Sequence, residues 1–168
     1  QESEEKLLRR VFDFSDVTAE EIMTPRVDVD AIDCQMPLGE LLTFVGATHH
    51  SRYPVYVESV DEISGILLIK DFLDALVRQP NVLAQRDKPF DLRPLLRKPL
   101  FIPATVGVDK LLERMQKAKT HLVVVIDEYG GTAGLVTMED VIELLVGDVQ
   151  DEFDIEDDSQ IQPHGNEF

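Results

Sequence analysis

The sequence predicts an α/β (α+β) fold in which two β-α-β-β-α units pack as one pseudo-twofold module. The main observation is an internal repeat: residues 51–71 align without a gap with residues 120–140, so that Gly65 matches Gly134 and Asp71 matches Asp140. Strand-length apolar runs and amphipathic segments also follow in the same order in both copies. A unit of about 60 residues buries little core alone, so we expect the two to pack sheet against sheet and leave a cleft, where ligands usually bind.

Each unit is predicted to contain the same five elements. An extended segment comes first, at residues 22–25 in one unit and residues 96–99 in the other. An amphipathic helix follows, because apolar residues such as Leu111, Leu112 and Met115 recur on one helical face. Two short β-rich runs and a closing helix complete the unit. The predicted helices are Leu38–Ala47, Lys70–Val77, Val108–Ala118 and Met138–Val146, and the predicted strands are Val55–Val57, Gly65–Ile69, Leu122–Ile126 and Ala133–Val136.

Turn and linker signals separate these elements. The segment Glu128–Gly131 predicts a tight hairpin, because Gly-Gly supplies a positive φ at little cost. Gln79–Pro99 holds four of the nine prolines and has no helical period, which predicts a linker between the units. An apolar stripe in Glu4–Phe14 predicts a helical lead-in, and the acidic stretch Asp148–Phe168 predicts a mobile exit.

Composition excludes several function classes. The chain has 33 acidic against 16 basic residues and a formal net charge of −17, which disfavours binding to nucleic acid. Cys34 is the single cysteine, so an internal disulfide and a cysteine-based zinc site are excluded. No apolar run has the ~18–20 residues of a membrane span. No nucleophile triad or Walker loop is present, so we do not expect an enzyme. An acidic start without Met indicates a fragment of a longer protein.

The segment Gly134–Asp140 carries the chemistry. It lies where a strand gives way to a helix, with Thr137 at the N-cap and Asp140 in the first turn. One interpretation is a capping box, in which each side chain bonds a free amide. The other is a phosphate site formed by the hydroxyl and the helix amides, with the carboxylate accepting hydrogen bonds from two ribose hydroxyls. The two interpretations are compatible.

These motifs resemble a known family. The tandem units with Gly-h-h-Thr-x-x-Asp at the second closing helix look like a pair of CBS motifs, the Bateman module. The stretches Glu21–Arg26, His50–Val55, Asp127–Glu143 and Val146–Phe153 are together similar to the CorC/HlyC and CNNM magnesium/cobalt transport proteins. The resemblance implies a lead-in at 1–18, CBS motif 1 at 19–78, a linker at 79–93, CBS motif 2 at 94–148 and an acidic tail at 149–168.

The resemblance also implies an adenine-nucleotide site shared between the units. Thr137 is expected at the phosphate, Asp140 at the ribose hydroxyls, and Tyr53 with Pro54 near the adenine. Arg52 is the expected phosphate cation, because its planar fork of donors suits phosphate oxygens. The expected nucleotide-binding residues are Thr24, Ser51, Arg52, Tyr53, Pro54, Thr137 and Asp140, with no catalytic residue and no protein-bound metal.

The equivalent site in the first unit is expected to be impaired. Leu68 stands where Thr137 has its counterpart and offers no hydroxyl, so Asp71 reads as an ordinary acid at a helix N-terminus. We therefore expect one site per chain. The pair His49-His50 predicts a polar turn at a helix end and not a metal site, because adjacent side chains point apart. His121, beside Lys117 and Lys119, is read as part of a solvated helix face, with charge near the cleft as the alternative.

The leading hypothesis is a regulatory module that senses ATP or AMP and controls Mg²⁺ or Co²⁺ efflux by a CorC-type membrane protein, on the cytoplasmic side of the inner membrane. Mg²⁺ is expected to bind with ATP, because one arginine cannot neutralise a triphosphate. The alternatives are a nucleotide-sensing pair attached to another protein and a ligand-free, hemolysin-like dimerisation domain. The partners expected are the transporter domain and a second copy of the chain. The dimer is predicted to form through Phe72, Leu73, Leu76, Val141, Ile142 and Leu145 of the closing helices.

Overall fold

The computed structural model describes residues 16–157 together with Glu2 and Glu5, and it describes side chains as far as residue 147. The predicted lead-in helix and the last eleven residues of the acidic exit therefore lie, apart from Glu5, outside the described residues. No helix in the part of the chain that is described has both the length and the apolar character needed to cross a membrane.

The first unit begins with a short helix and a short strand, and this strand pairs with the sheet of the second unit. A capping box starts helix α1, with the Thr18 amide donating to Glu21 Oε2 at 2.7 Å. The main helices of this unit are α2 and α3, and its small sheet has the order β2-β3-β4. The elements are α1 (Ala19–Ile22), β1 (Thr24–Pro25), β2 (Ile32–Asp33), α2 (Leu38–Thr48), β3 (Arg52–Tyr56), β4 (Ile63–Leu68) and α3 (Ile69–Arg78).

The second unit repeats this order. Its strands and the first strand of the chain form a four-stranded sheet of order β1-β7-β6-β5. Strand β2 pairs in parallel with β3, as β5 does with β6, and the last two strands of each unit form an antiparallel hairpin. The elements are β5 (Leu100–Pro103), α4 (Val108–Ala118), β6 (Leu122–Ile126), β7 (Thr132–Thr137) and α5 (Met138–Asp157). The predicted α/β class with two small sheets is confirmed.

The lead segment of each unit crosses to the other unit. β1 pairs with β7, with Thr24 opposite Leu135. In the reverse direction Arg97 exchanges two backbone hydrogen bonds of 2.9 Å with Ile66 in β4. The two crossings explain why positions 65 and 134 are glycine. A Cβ at position 65 would lie 2.7 Å from Leu96 Cβ, and one at position 134 would collide with the Thr24 carbonyl oxygen.

Three apolar clusters form the core. One lies in the first unit and one in the second, each between a sheet and its helices, and Ala19 of α1 is buried in the cluster of the second unit. The third lies between the two sheets and joins Ile63 and Ile66 of β4 to Leu122 and Val124 of β6 and to Leu135 of β7. At the edge of this seam, the Thr132 hydroxyl donates to the Val60 carbonyl at 2.6 Å. The expected packing of sheet against sheet is therefore observed.

The repeat aligns differently in space than in sequence. Tyr53 and Val55 occupy the positions that Val123 and Val125 occupy in the other unit, so the offset in this strand is 70 and not 69. The offset of 69 holds only after the hairpin, because the β3–β4 loop is one residue longer than the β6–β7 loop. A slip of one residue turns every strand side chain to the other face, so the gapless alignment is wrong for β3 and β6.

Two further expectations are corrected. Gln79–Pro99 is not a bare linker, because Phe90 and Leu92 are buried in the first unit and the Phe90 ring lies 6.0 Å from that of Phe72. In the same segment, hydrogen bonds from Arg93 hold the pKa of Asp91 below its usual value. The last helix continues past Val146 to Asp157, because no proline interrupts it and acidic residues are tolerated in helices. The predicted hairpin is confirmed, with Gly130 at φ 81°.

The crossing can be tested by adding one methyl group. Gly134→Ala is expected to lower the free energy of unfolding by about 1–3 kcal/mol, because the methyl group meets backbone that cannot move aside. Gly46→Ala is the control: this helical glycine has open space around its Cβ, so stability is expected to rise by about 0.5–1 kcal/mol. Urea unfolding followed by circular dichroism measures both. An unchanged stability in Gly134→Ala would contradict the tight crossing.

Candidate functional site

A cavity of about 290 Å³ lies at the seam, where β3 and β6 begin side by side. Helices α2 and α4 end in the left-handed residues His49 and Lys119, with φ of 57° and 53°, and these turns lead the chain into the two strands. The start of α5 closes the cavity from the second unit. The lining residues are His49, His50, Ser51 and Arg52 from the first unit and His121, Leu122, Thr137 and Glu139 from the second.

A second cavity of about 420 Å³ adjoins the first. Both are lined by His50, Ser51 and Arg52, so the two cavities are neighbours that share part of their wall, and together they are called the seam cleft. The second cavity lies against the start of α3, and its remaining lining residues are Leu68, Ile69, Lys70 and Leu73. The cleft therefore extends from the start of α5 to the start of α3.

Thr137 and Asp140 form a reciprocal cap at the start of α5. The Thr137 amide donates to Asp140 Oδ2 at 2.9 Å, and the Asp140 amide donates to Thr137 Oγ1 at 3.1 Å. The capping interpretation of this motif is therefore observed. The cap uses the hydroxyl as an acceptor, so the hydroxyl hydrogen of Thr137 can still donate into the cavity that this residue lines.

Arg52 lies at the centre of the cleft. It is the first residue of β3, its Cα is opposite that of Leu68, and it lines both cavities. Among the described residues Arg52 makes no salt bridge, whereas the neighbouring His50 Nε2 lies 2.7 Å from Asp30 Oδ2. A half-buried guanidinium without a carboxylate partner leaves its donors for an anionic ligand.

Tyr53 and Pro54 do not reach the cavity wall. The Tyr53 side chain is fully buried in the core of the first unit. Its hydroxyl lies 2.6 Å from Thr48 Oγ1 and accepts a hydrogen bond from the His50 amide at 3.0 Å. Pro54 is also buried, opposite Ile66 in β4. The ring of Tyr53 thus holds the turn before Ser51 in place, and the expected contact of its side chain with a base is not available in this arrangement.

Thr24 is exposed on β1, outside the lining of these two cavities. Its structural counterpart in the other half is Arg97, since Thr24 pairs with Leu135 as Arg97 pairs with Ile66. That counterpart shows what the position can reach. Arg97 donates from Nε and Nη2 to Asp71 Oδ2 at 3.3 and 3.2 Å. Thr24 therefore stands in the second unit where this arginine stands in the first, and its shorter side chain makes no hydrogen bond to Asp140 in the described structure.

The first unit differs from the second at the positions equivalent to Thr137 and Asp140. Leu68 precedes α3 and gives no side-chain cap. Asp71, the counterpart of Asp140, is bound by Arg97 beside a cavity of about 450 Å³. The sequence predicted the loss of the hydroxyl, whereas the blocking arginine depends on the crossing of the lead segment and was missed.

Sequence reasoning also missed part of the cleft. The polar turn expected at His49-His50 is present, yet both residues line the cavity. His121 lines the cavity as well, whereas Lys117 and Lys119 line neither cavity. Lys70 and Glu139 were not considered. Their shared position, second in each closing helix, was the available signal, since the first residues of those helices border the cleft.

The CBS domain family matches the chain twice, over residues 19–78 and over residues 92–147. The chain belongs to the CBS domain family. Among curated proteins, hemolysin C of Brachyspira hyodysenteriae is 36% identical over 157 residues, which cover 94% of this chain and 55% of that protein. The magnesium and cobalt efflux protein CorC of Vibrio cholerae is 36% identical over 156 residues, 93% of this chain and 51% of that protein. The chain thus spans about half the length of these relatives.

Solved CBS pairs have the same fold. The CBS domain of a bacterial CNNM/CorC family Mg²⁺ transporter in complex with ATP superimposes with a TM-score of 0.73 at 38% identity, covering 86% of this chain and 98% of that chain. A CBS-domain pair from Klebsiella pneumoniae with bound AMP gives a TM-score of 0.63 at 26% identity, covering 77% and 98%. The predicted identity as a tandem CBS module of the CorC, hemolysin C and CNNM type is confirmed.

Proposed function

We propose that this CBS pair binds an adenine nucleotide, ATP or AMP, in the seam cleft and regulates Mg²⁺ or Co²⁺ efflux by a CorC-type membrane protein. The observation that carries the proposal is the meeting of Ser51 and Arg52 with Thr137 in one cavity, although these residues come from different units. The similarity to the ATP-bound CBS domain of a CNNM/CorC transporter supports the choice of ligand. The module would lie on the cytoplasmic side of the inner membrane, attached to the transporter domain.

The proposed contacts follow from the donors and acceptors at the start of α5. The Thr137 hydroxyl and the first helix amides face a phosphate, and Arg52 provides the guanidinium for it. Asp140 uses Oδ2 for the cap, which leaves Oδ1 to accept from the ribose hydroxyls. Thr24 occupies the position of Arg97 in the other half and would add a hydroxyl from β1, and Ser51 adds a second hydroxyl to the cavity.

Regulation would follow from linkage. A nucleotide that touches both units binds one arrangement of the module and its partners better than another, and this difference in affinity shifts the population of the attached transporter. The size of the effect is limited by the difference in binding free energy between the two arrangements.

We further propose that two modules pair through their closing helices. The predicted interface needs a correction, because Phe72, Leu76, Val141 and Leu145 are buried in their own units and cannot form it. The exposed apolar residues of α3 and α5 lie at equivalent positions and are a better surface for the pair. They are Leu73, Val77, Ile142 and Val146.

The first prediction tests the nucleotide site. Thr137→Val and Asp140→Ala are each expected to weaken ATP binding by about 1–3 kcal/mol, because a polar ligand group loses its partner. Asp71→Ala is the matched control, since it removes the equivalent acid that Arg97 already occupies, and affinity is expected to stay within twofold. Isothermal titration calorimetry gives the affinities. Urea unfolding separates the loss of the cap, about 1 kcal/mol, from the loss of binding.

Unchanged ATP affinity in both Thr137→Val and Asp140→Ala would contradict the site. A fall of equal size in Asp71→Ala would place the nucleotide in the first unit instead.

The second prediction concerns Mg²⁺. ATP brings several negative charges to a chain of net charge −17, and Arg52 is the only arginine or lysine in the lining of the cavity beside Thr137. No group of acidic, histidine or cysteine side chains in the described residues is arranged to hold a metal ion, so we expect Mg²⁺ to arrive on the phosphate oxygens. ATP is expected to bind several-fold tighter with millimolar Mg²⁺ than with EDTA, whereas AMP changes little.

Both titrations are made at matched ionic strength, because salt alone also screens repulsion. Equal ATP affinities with Mg²⁺ and with EDTA would exclude the ion from the bound complex.

The third prediction tests the dimer. Leu73→Glu combined with Ile142→Glu is expected to give a monomer in light scattering at tens of micromolar, because the charges enter the apolar face that two copies bury. Val27→Glu is the control: Val27 is 89% exposed but belongs to a 3-10 turn and not to α3 or α5, so the dimer mass is expected to persist. A monomeric wild-type protein, with and without nucleotide, would exclude this pairing.

A further inference from the structure

The second cavity of the cleft is basic. Its lining includes the cationic side chains of Arg52 and Lys70 together with His50, and it includes no carboxylate. Such a lining is unusual in a chain with twice as many acidic as basic residues. Within the described part of the chain, neither Arg52 nor Lys70 is in a salt bridge, whereas other cations such as Arg78 and Arg97 pair with aspartates. The cavity therefore offers two cationic side chains without acidic partners.

The two halves of the cleft have opposite charge at equivalent positions. Lys70 is the second residue of α3 and Glu139 is the second residue of α5, and the repeat relates them. Glu139 lines the cavity next to Thr137, and Lys70 lines the adjoining one. A chain of negative charges that begins at Thr137 is repelled by Glu139 and attracted past Arg52 towards Lys70.

Arg52 connects the two cavities. Because it belongs to the lining of both, a ligand group bound by its guanidinium beside Thr137 lies next to the second cavity. A monophosphate ends beside Thr137. A triphosphate is longer by two phosphoryl groups, which carry further negative charge. The second cavity is lined by cationic side chains and by no carboxylate, so we expect the longer chain to extend into it.

We propose that Lys70 binds the terminal phosphates of a nucleoside triphosphate and thereby makes the module select ATP over AMP. The inference rests on the proposed nucleotide site and adds the direction in which the phosphate chain extends. Thr137 and Asp140 bind both AMP and ATP. Arg52 lies between the two cavities, and Lys70 binds only ATP, the longer ligand. Lysine suits this role because its flexible stem brings a compact charge to whichever terminal oxygen is within reach.

The test compares ATP and AMP on matched variants by isothermal titration calorimetry at constant ionic strength. Lys70→Met is expected to weaken ATP binding about fivefold or more, the loss of a charge-assisted contact, and to leave AMP affinity within twofold. Lys110→Met makes the same charge change on the exposed face of α4, outside both cavities, and is expected to change neither affinity. Lys70→Arg keeps the charge and is expected to retain the preference for ATP.

Three results would overturn the inference. An unchanged ATP affinity in Lys70→Met, or an equal loss of ATP and AMP affinity, removes Lys70 from the terminal phosphates. An equal loss of ATP affinity in Lys110→Met means that only the net charge of the chain matters. A wild-type protein that binds neither nucleotide is a different failure, because it overturns the proposed function itself. Lys70 is exposed and packs in none of the cores, so its variants are expected to fold normally.

Discussion

The reciprocal crossing of the two lead segments is the constraint on which this molecule depends. Each unit supplies backbone to the last strand of the other, so neither sheet edge is complete alone. The close approach leaves no room for a Cβ at Gly65 or Gly134 without a shift of the crossing segment. This arrangement sets the two sheets face to face and places the first turns of α3 and α5 on either side of one cleft. The apolar seam beneath then holds the two halves together.

The sequence predicts the bounds of helices and strands better than it predicts which face of a strand is directed into which core. The bounds of α4 and β6 agree with the structure, because strong periodicity and a long apolar run define them. The same apolar run gave no indication of how β6 aligns with β3 in the repeat. With every residue from Leu122 to Ile126 apolar, no alternation shows which side chains enter the unit core and which enter the seam. The burial of Phe90 and Leu92 was equally hidden, since it depends on contacts far along the chain.

The candidate site was predictable where a local motif marks it. Thr137 and Asp140 lie in one helical turn and form the cap that their spacing indicates. Ser51 and Arg52 were placed through the family resemblance, and they line the cleft. Tyr53 was expected beside the adenine, but the alternation of side chains along the strand directs it into the core. The contact of Arg97 with Asp71 results from the packing of segments that are distant along the chain, for which a single sequence gives no signal.

Different residues at equivalent positions of the two units make the cleft asymmetric. At three equivalent positions the halves carry Thr137 and Leu68, Thr24 and Arg97, and Glu139 and Lys70. The second unit has the Thr137–Asp140 cap and a short threonine at the crossing position, while in the first unit an arginine binds the equivalent acid and a lysine lines the shared cleft. Under the proposed function, a ligand held at Thr137 acts on the first residues of α5, whose exposed Ile142 and Val146 lie further along the same helix. A small rotation of that helix would change the proposed dimer face without opening the seam, so the ligand need not separate the units to alter the dimer.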